Sequence, residues 1–240
     1  MNTISDKYLV GEGAVCAIIP DKSYFVADVY DEAYDHETIV SAVENGLDGW
    51  SVIDLADYLS LECYFRTDRH FEQIAIYPVV NAIGEHMDFY VEEWNFMPES
   101  MGEYVGCYGN EDTEGEEFFV AKSEFTDAAV VTRYGEEPFT GTYCADKFNN
   151  KEQLDVILGG ASPIVTIEVP NAKRDKELIL FCDSFGPIVA PLLLEQYSKV
   201  TLVDLRFVNS MMLGSFVDFE GADVLFMYYD QIINNSFLLK

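Results

Sequence analysis

Residues 177–205 read ELILFCDSFGPIVAPLLLEQYSKVTLVDL. The two ends, ELILFC (177–182) and KVTLVDL (199–205), are short, nearly continuous apolar runs. That pattern suits strands buried on both faces, as in a parallel sheet covered by helices. Between them, PIVAPLLLEQYS (187–198) leaves room for a crossover helix. Pro187 opens it where an early proline is tolerated, whereas Pro191 lies deeper and is expected to kink or delay the helix. ADVLFMYY (222–229) is a third buried run, and NSMMLGSFVDF (209–219) a shorter second crossover. Successive runs start about 22 residues apart, the spacing of a βα unit.

The amino-terminal part repeats this theme. AVCAIIP (14–20) and WSVIDL (50–55) read as strands, with HETIVSAVENGL (36–47) as a helix between them. Beyond His70, apolar residues at 71, 74, 75, 78, 79, 82 and 83 keep helical spacing, with Pro78 expected to bend the helix. Residues 88–150 are different in kind, rich in Tyr, Phe, Glu and Gly, with alternating stretches such as DFYVEEWNF and EEFFVAKSEF. They are expected to form an antiparallel β-rich insertion with exposed loops. The expectation is therefore one α/β domain over 1–240, with the insertion at 88–150 inside it.

Composition narrows the function classes. The chain has 240 residues, 49% hydrophobic and 14% aromatic, enough to bury a sizeable core. With 43 acidic against 14 basic residues, the formal charge is -29. Such a surface repels phosphate backbones, which argues against a nucleic-acid partner, and it disfavours anionic lipid for the same reason. The cysteines, Cys16, Cys63, Cys107, Cys144 and Cys182, are odd in number and widely spaced, without a C-x-x-C pair. Neither a zinc site nor a disulfide framework is expected, and free, mostly buried thiols suit a reducing compartment or an anaerobic habitat. The acidic run NEDTEGEE (110–117) lacks the spacing of a calcium loop and is expected to be solvated. No apolar run reaches the ~18 residues of a membrane span. The amino terminus, MNTISDKYLVGEG, carries no basic-then-apolar signal pattern.

Chemistry is expected where a parallel strand ends and a helix begins. Ser184, between Asp183 and Gly186 in CDSFG, occupies such a place, beside backbone N–H groups able to hold an oxyanion. A serine needs a base to take its proton, and the base needs an orienting carboxylate. YFRTDRHF (64–71) supplies Asp68 and His70 two residues apart. The alternative for each is local: Ser184 or Asp183 as a helix N-cap, and Asp68 as a cap at a helix start. Arg206, just past the strand KVTLVDL, has a positive charge suited to a carboxylated sugar or an oxyanion, or forms a structural ion pair with Asp204. Cys182 is expected to be a core thiol, Asn234 and Asn235 turn residues, and His36 and His86 surface residues without partners.

FCDSFGPIVAPLLLEQYSKVTLVDLRFVNS and DVLFMYYDQIINNS, with IIPDK (18–22) and YFRTDRHF, resemble the DHHW family, relatives of the SGNH-hydrolase-like alginate O-acetyltransferases. The resemblance runs from about residue 14 to the carboxyl terminus, weakest over 88–150. It implies a three-layer SGNH-hydrolase-like fold with a mostly parallel sheet, Ser184 as nucleophile, His70 as base and Asp68 as its orienter. Two departures stand out. The eponymous Asp-His-His-Trp is here Asp68-Arg69-His70-Phe71, and the glycine of the usual G-D-S turn is Cys182. Asn209, Gly186 and Gly214 are candidate oxyanion or substrate contacts.

The expected function is a serine-dependent acyl-ester hydrolase or O-acetyltransferase acting on a cell-envelope or extracellular glycan, without cofactor or metal. The alternatives are a catalytically inactive protein that binds a glycan in the same crevice, or an envelope scaffold with a basic protein partner. The resemblance implies an extracytoplasmic place, whereas the unpaired thiols and missing signal pattern point inward.

Overall fold

The computed structural model describes residues 1–9, 14–27 and 35–240. Its strands are β1 (Val15–Ile19), β2 (Ser51–Asp54), β3 (Met97–Tyr104), β4 (Glu116–Lys122), β5 (Val130–Arg133), β6 (Phe139–Thr140), β7 (Ile164–Glu168), β8 (Glu177–Cys182), β9 (Lys199–Val203) and β10 (Asp223–Tyr229). The α-helices are α1 (Asn2–Tyr8), α2 (His36–Gly46), α3 (Tyr77–Met87), α4 (Glu124–Ala128), α5 (Gly186–Leu193) and α6 (Asp230–Asn234). Eight strands form one sheet in the order β2-β1-β10-β8-β9-β7-β5-β6. The five from β2 to β9 are parallel, and β7, β5 and β6 continue the sheet antiparallel. Alternate residues of β1 enter different cores, Ala17 and Ile19 with α3 and α5 on one face, Cys16 and Ile18 with α1 and α2 on the other. This is the expected three-layer α/β architecture, mostly parallel.

Several local expectations change. Pro78 does not bend a helix that runs on from His70; it stands in the first turn of α3, where its missing N–H is harmless. Pro191 lies inside α5, which ends at Leu193 instead of running on to Ser198. The second crossover is a 3-10 helix, Ser210–Ser215. Strand β7, which pairs antiparallel with β9, adds to the expected elements. The region 88–150 is only partly an appendage: β3 and β4 form a separate hairpin, while β5 and β6 extend the main sheet. Of the thiols, only Cys16 and Cys182 are buried, and Cys107 is exposed. Among the described residues no helix is long and apolar enough to cross a membrane.

At the carboxyl edge of the sheet, backbone N–H groups leave the ladder and need acceptors. Asp21, Asp54, Asp183 and Asp204, just past or at the ends of β1, β2, β8 and β9, each accept from the N–H two residues on, at 2.7, 2.9, 3.0 and 2.9 Å. These side-chain turns bend the chain out of each strand. Asp230, after β10, instead accepts from the N–H of Asp21 at 2.8 Å, tying two strand ends together.

His36 belongs to this edge and is not a surface residue. It is buried at the start of α2, with Nε2 2.8 Å from Asp54 and Nδ1 3.1 Å from Asp230. With Val40 and Val43 it forms the buried stripe of its helix, at i, i+4 and i+7. Burial by itself lowers its pKa, but the hydrogen bonds to Asp230 and Asp54 outweigh that and raise it to about 9. His86, by contrast, is exposed on α3.

The turn from β8 into α5 is closely packed. A Cβ on Gly186 would lie 2.1 Å from Cys182 Sγ and 2.5 Å from Cys182 Cβ. Only one of positions 182 and 186 has room for a side chain, so the cysteine at 182 requires the glycine at 186.

Two outcomes follow from this packing. Gly186→Ala should destabilise the protein by about 1–3 kcal/mol, and Cys182→Gly in the same chain should recover most of it in urea melts; an unrelieved loss would refute the packing. His36→Gln should cost about 2–3 kcal/mol at pH 6, because the buried Asp230 and the half-buried Asp54 lose their cation. The unfolded value is near 6.5 and the folded value about 9, so this contribution is complete below pH 6.5 and disappears as pH rises through 9. The gap between wild type and variant should therefore narrow at pH 9.5, and a constant gap would count against a charged His36.

Candidate active site

Ser184 and His70, 114 positions apart, meet at this edge: His70 Nε2 lies 2.8 Å from Ser184 Oγ. On the other side of the ring, Nδ1 is 2.6 Å from Asp68 Oδ1. An ionised carboxylate only accepts, so Nδ1–H donates to Asp68 and Nε2 is left to accept from the serine hydroxyl. Serine, imidazole and carboxylate are therefore in line, in the order a general base needs. The imidazole packs on Phe185 with ring centres 4.7 Å apart, and Phe71 packs edge-on to the Phe185 ring at 4.9 Å.

Asp68 is fixed by more than the histidine. Its Oδ1 also accepts from the His70 N–H at 2.9 Å, and its Oδ2 from the Cys107 N–H at 2.8 Å. Burial would raise its pKa, but the bonds from His70 and the backbone prevail and hold it well below the usual carboxylate range. Cys107 can come so close because residue 106 is glycine: a Cβ there would sit 2.3 Å from Asp68 Cβ. From the start of β4, Glu116 takes the N–H groups of Arg66 and Thr67 at 2.6 and 2.8 Å. From the end of β1, Lys22 Nζ donates to the carbonyls of Phe65, Arg66 and Asp68. Gln73 joins the same segment to the Ile188 carbonyl of α5 and to the Ala121 N–H of β4, both at 2.8 Å.

Lys22, Gly106, Cys107 and Glu116 went unread as site residues. Lys22 had a signal in the IIPDK stretch. The other three lie in the region where the resemblance is weakest, and the hairpin that carries them closes over the Asp68–His70 loop only in three dimensions.

The remaining candidates separate. Asp183, and not Ser184, takes the turn hydrogen bond: it accepts from Phe185 N–H at 3.0 Å and Tyr229 N–H at 2.8 Å. The Ser184 N–H donates to no acceptor among the described residues, which leaves it free to serve an oxyanion. Gly186 is unsuited to that role, since its N–H donates to the Asp183 carbonyl at 3.1 Å. Asn209 lies elsewhere; it caps the 3-10 helix through Met211 N–H and lines a cavity with Tyr134 and Phe216. Gly214 N–H donates to Tyr8 Oη, also away from Ser184. Arg206 holds Asp204 in a two-pronged ion pair, Nε 2.9 Å from Oδ1 and Nη2 2.6 Å from Oδ2, and both line the cavity beside Ser184. Cys182 is a buried core thiol, as expected, whose pKa burial pushes well up.

Ser184 and His70 stand where two cavities join. One, about 220 Å³, runs over Cys182, Ile188, Leu202, Val165 and Ile157. The other, about 490 Å³, is bordered by Arg69, Lys151, Tyr104 and Cys107.

No protein-family model matches the chain, and no curated protein matches it. Solved structures do. A DHHW family protein from Eubacterium siraeum DSM 15702 is 20% identical, with 97% of this chain and 82% of that one covered and a TM-score of 0.71. PatB1 of Bacillus cereus is 17% identical over 92% of this chain and 83% of its own, at 0.67. The same protein with a sulfonyl adduct is 15% identical, covering 97% and 84%, at 0.72. At these identities the likeness is one of fold: the chain has the SGNH-hydrolase-like α/β fold of a DHHW family protein and of PatB1, in line with the resemblance carried by its sequence motifs.

Proposed function

We propose that the protein is a serine-dependent acyl-ester hydrolase or O-acyltransferase, with Ser184 as nucleophile, His70 as general base and Asp68 as its orienter. The observation that carries this is the continuous line Asp68–His70–Ser184, at 2.6 and 2.8 Å, opening on two cavities. In the reaction His70 Nε2 takes the Oγ proton as Oγ bonds to the acyl carbon. The tetrahedral oxyanion is met by the Ser184 N–H, and collapse expels the alcohol, which leaves with the proton held by His70. Water or a sugar hydroxyl then gives its proton to His70 and attacks the acyl carbon, and Oγ departs with that proton from His70, which restores the Ser184 hydroxyl. The ionised Asp68 stabilises the imidazolium at each stage without taking the proton.

A glycan of the cell envelope or the extracellular space is the acyl carrier we favour, which would place the protein outside the cytoplasm. Arg69 and Lys151 border the larger cavity together with Glu152, so both signs of charge are available to a polar acceptor. An inactive glycan-binding protein is the competing reading, and the same experiments decide between them.

Ser184→Ala should lower hydrolysis of p-nitrophenyl esters by several orders of magnitude with little effect on the melting temperature. An arylsulfonyl fluoride should modify Ser184 alone, seen as one mass increment that Ser184→Ala and His70→Ala abolish or slow; PatB1 itself is known with a sulfonyl adduct. Failure of both turnover and labelling would leave the inactive reading standing. Asp68→Asn should lower kcat by about 10³–10⁴ by favouring the wrong imidazole tautomer, while Lys22→Met, which loosens the Asp68 loop, should give a smaller loss.

A further inference from the structure

The smaller cavity opens beside Ser184 and His70. Its wall passes from Cys182 and Ile188, beside the nucleophile, to Leu202 of β9, Val165 of β7 and Ile157, all nearly fully buried in the fold. The charged or titratable groups around it are Asp155, Glu152 and Asp183, the catalytic candidate His70, and Asp204 in its pair with Arg206. At about 30 Å³ per non-hydrogen atom, the share of a water molecule in its liquid, 220 Å³ takes about seven such atoms. An acetyl group has three. It would leave more than half of an apolar space empty, with aliphatic walls that water solvates poorly.

We propose that this cavity receives a straight acyl chain of about four to six carbons, and that the preferred substrate is an ester of such an acid and not an acetyl ester. The inference rests on Ser184 being the nucleophile. The chain lies over Leu202 and Val165 with its carbonyl carbon at Ser184 Oγ, and the alcohol leaves through the cavity bordered by Arg69 and Lys151. Chain length is limited by the wall of β7 and by the turn Leu158–Gly160. The three residues of that turn all have positive φ, at 55, 76 and 96°. A Cβ on Gly160 would lie 2.4 Å from the Asp155 carboxylate.

The test is a chain-length profile of kcat/KM for p-nitrophenyl acetate, butyrate, hexanoate and octanoate on the full chain. Each methylene buried should raise the value about fourfold, so hexanoate should exceed acetate on the order of a hundredfold. Inactivation by methane-, butane- and hexanesulfonyl fluoride, followed by mass, should rise in the same order and does not depend on deacylation. Leu154→Trp, at the half-exposed mouth, should move the optimum back to acetate, and Val165→Ala should move it to longer chains; each profile is normalised to acetate, so loss of folded protein does not mimic the effect. Acetate as the best wild-type substrate would overturn the inference and leave the serine mechanism intact. A long-chain preference that neither variant moves would overturn the assignment to this cavity. Absence of both turnover and sulfonylation would instead remove the mechanism on which the inference rests.

Discussion

A parallel sheet ends in backbone N–H groups that have lost their ladder partners, and here carboxylates take them up. Four strand ends carry an aspartate that accepts from the N–H two residues on, and Asp68 does the same for His70 in its loop. Each such turn redirects the chain within two residues. Ser184 can stand at the sheet's edge because Asp183 has already satisfied the turn. His70 points at it because Asp68 holds both its backbone and its ring.

This arrangement concentrates negative charge at one edge of a protein already at -29. The edge is tolerated because cations are set between the carboxylates: His36 between Asp54 and Asp230, Arg206 on Asp204, Lys22 beneath the Asp68 loop. Lys22 spends its charge on backbone carbonyls and not on a carboxylate. It thereby ties the end of β1 to the loop that holds the histidine.

The two departures from the DHHW motif that the sequence resembles have physical accounts. Phe71 keeps an aromatic ring against Phe185, so the imidazole retains its wall without the tryptophan. Cys182 occupies the volume that a glycine would leave open, and the close approach it would otherwise prevent is restored by Gly186. The thiol is buried, and the hydroxyl remains the nucleophile candidate at that turn.

The strands of the parallel core are legible in the amino-acid order, because residues buried on both faces must be apolar throughout, and Ser184, His70 and Asp68 stand out in it as well. Its spacing also held the position of His36, in register with Val40 and Val43, although a lone histidine without a visible partner reads as exposed. Contact between distant segments emerges only on folding: residues 70 and 184 meet, Asn209 lies away from them, and the β3–β4 hairpin clamps Asp68. Those outcomes depend on where loops cross the sheet's edge, and loop paths are set by hydrogen bonds between residues such as Cys107 and Asp68 or Glu116 and Thr67. Periodicity records which face of an element is buried; it holds no record of which loop lies over it.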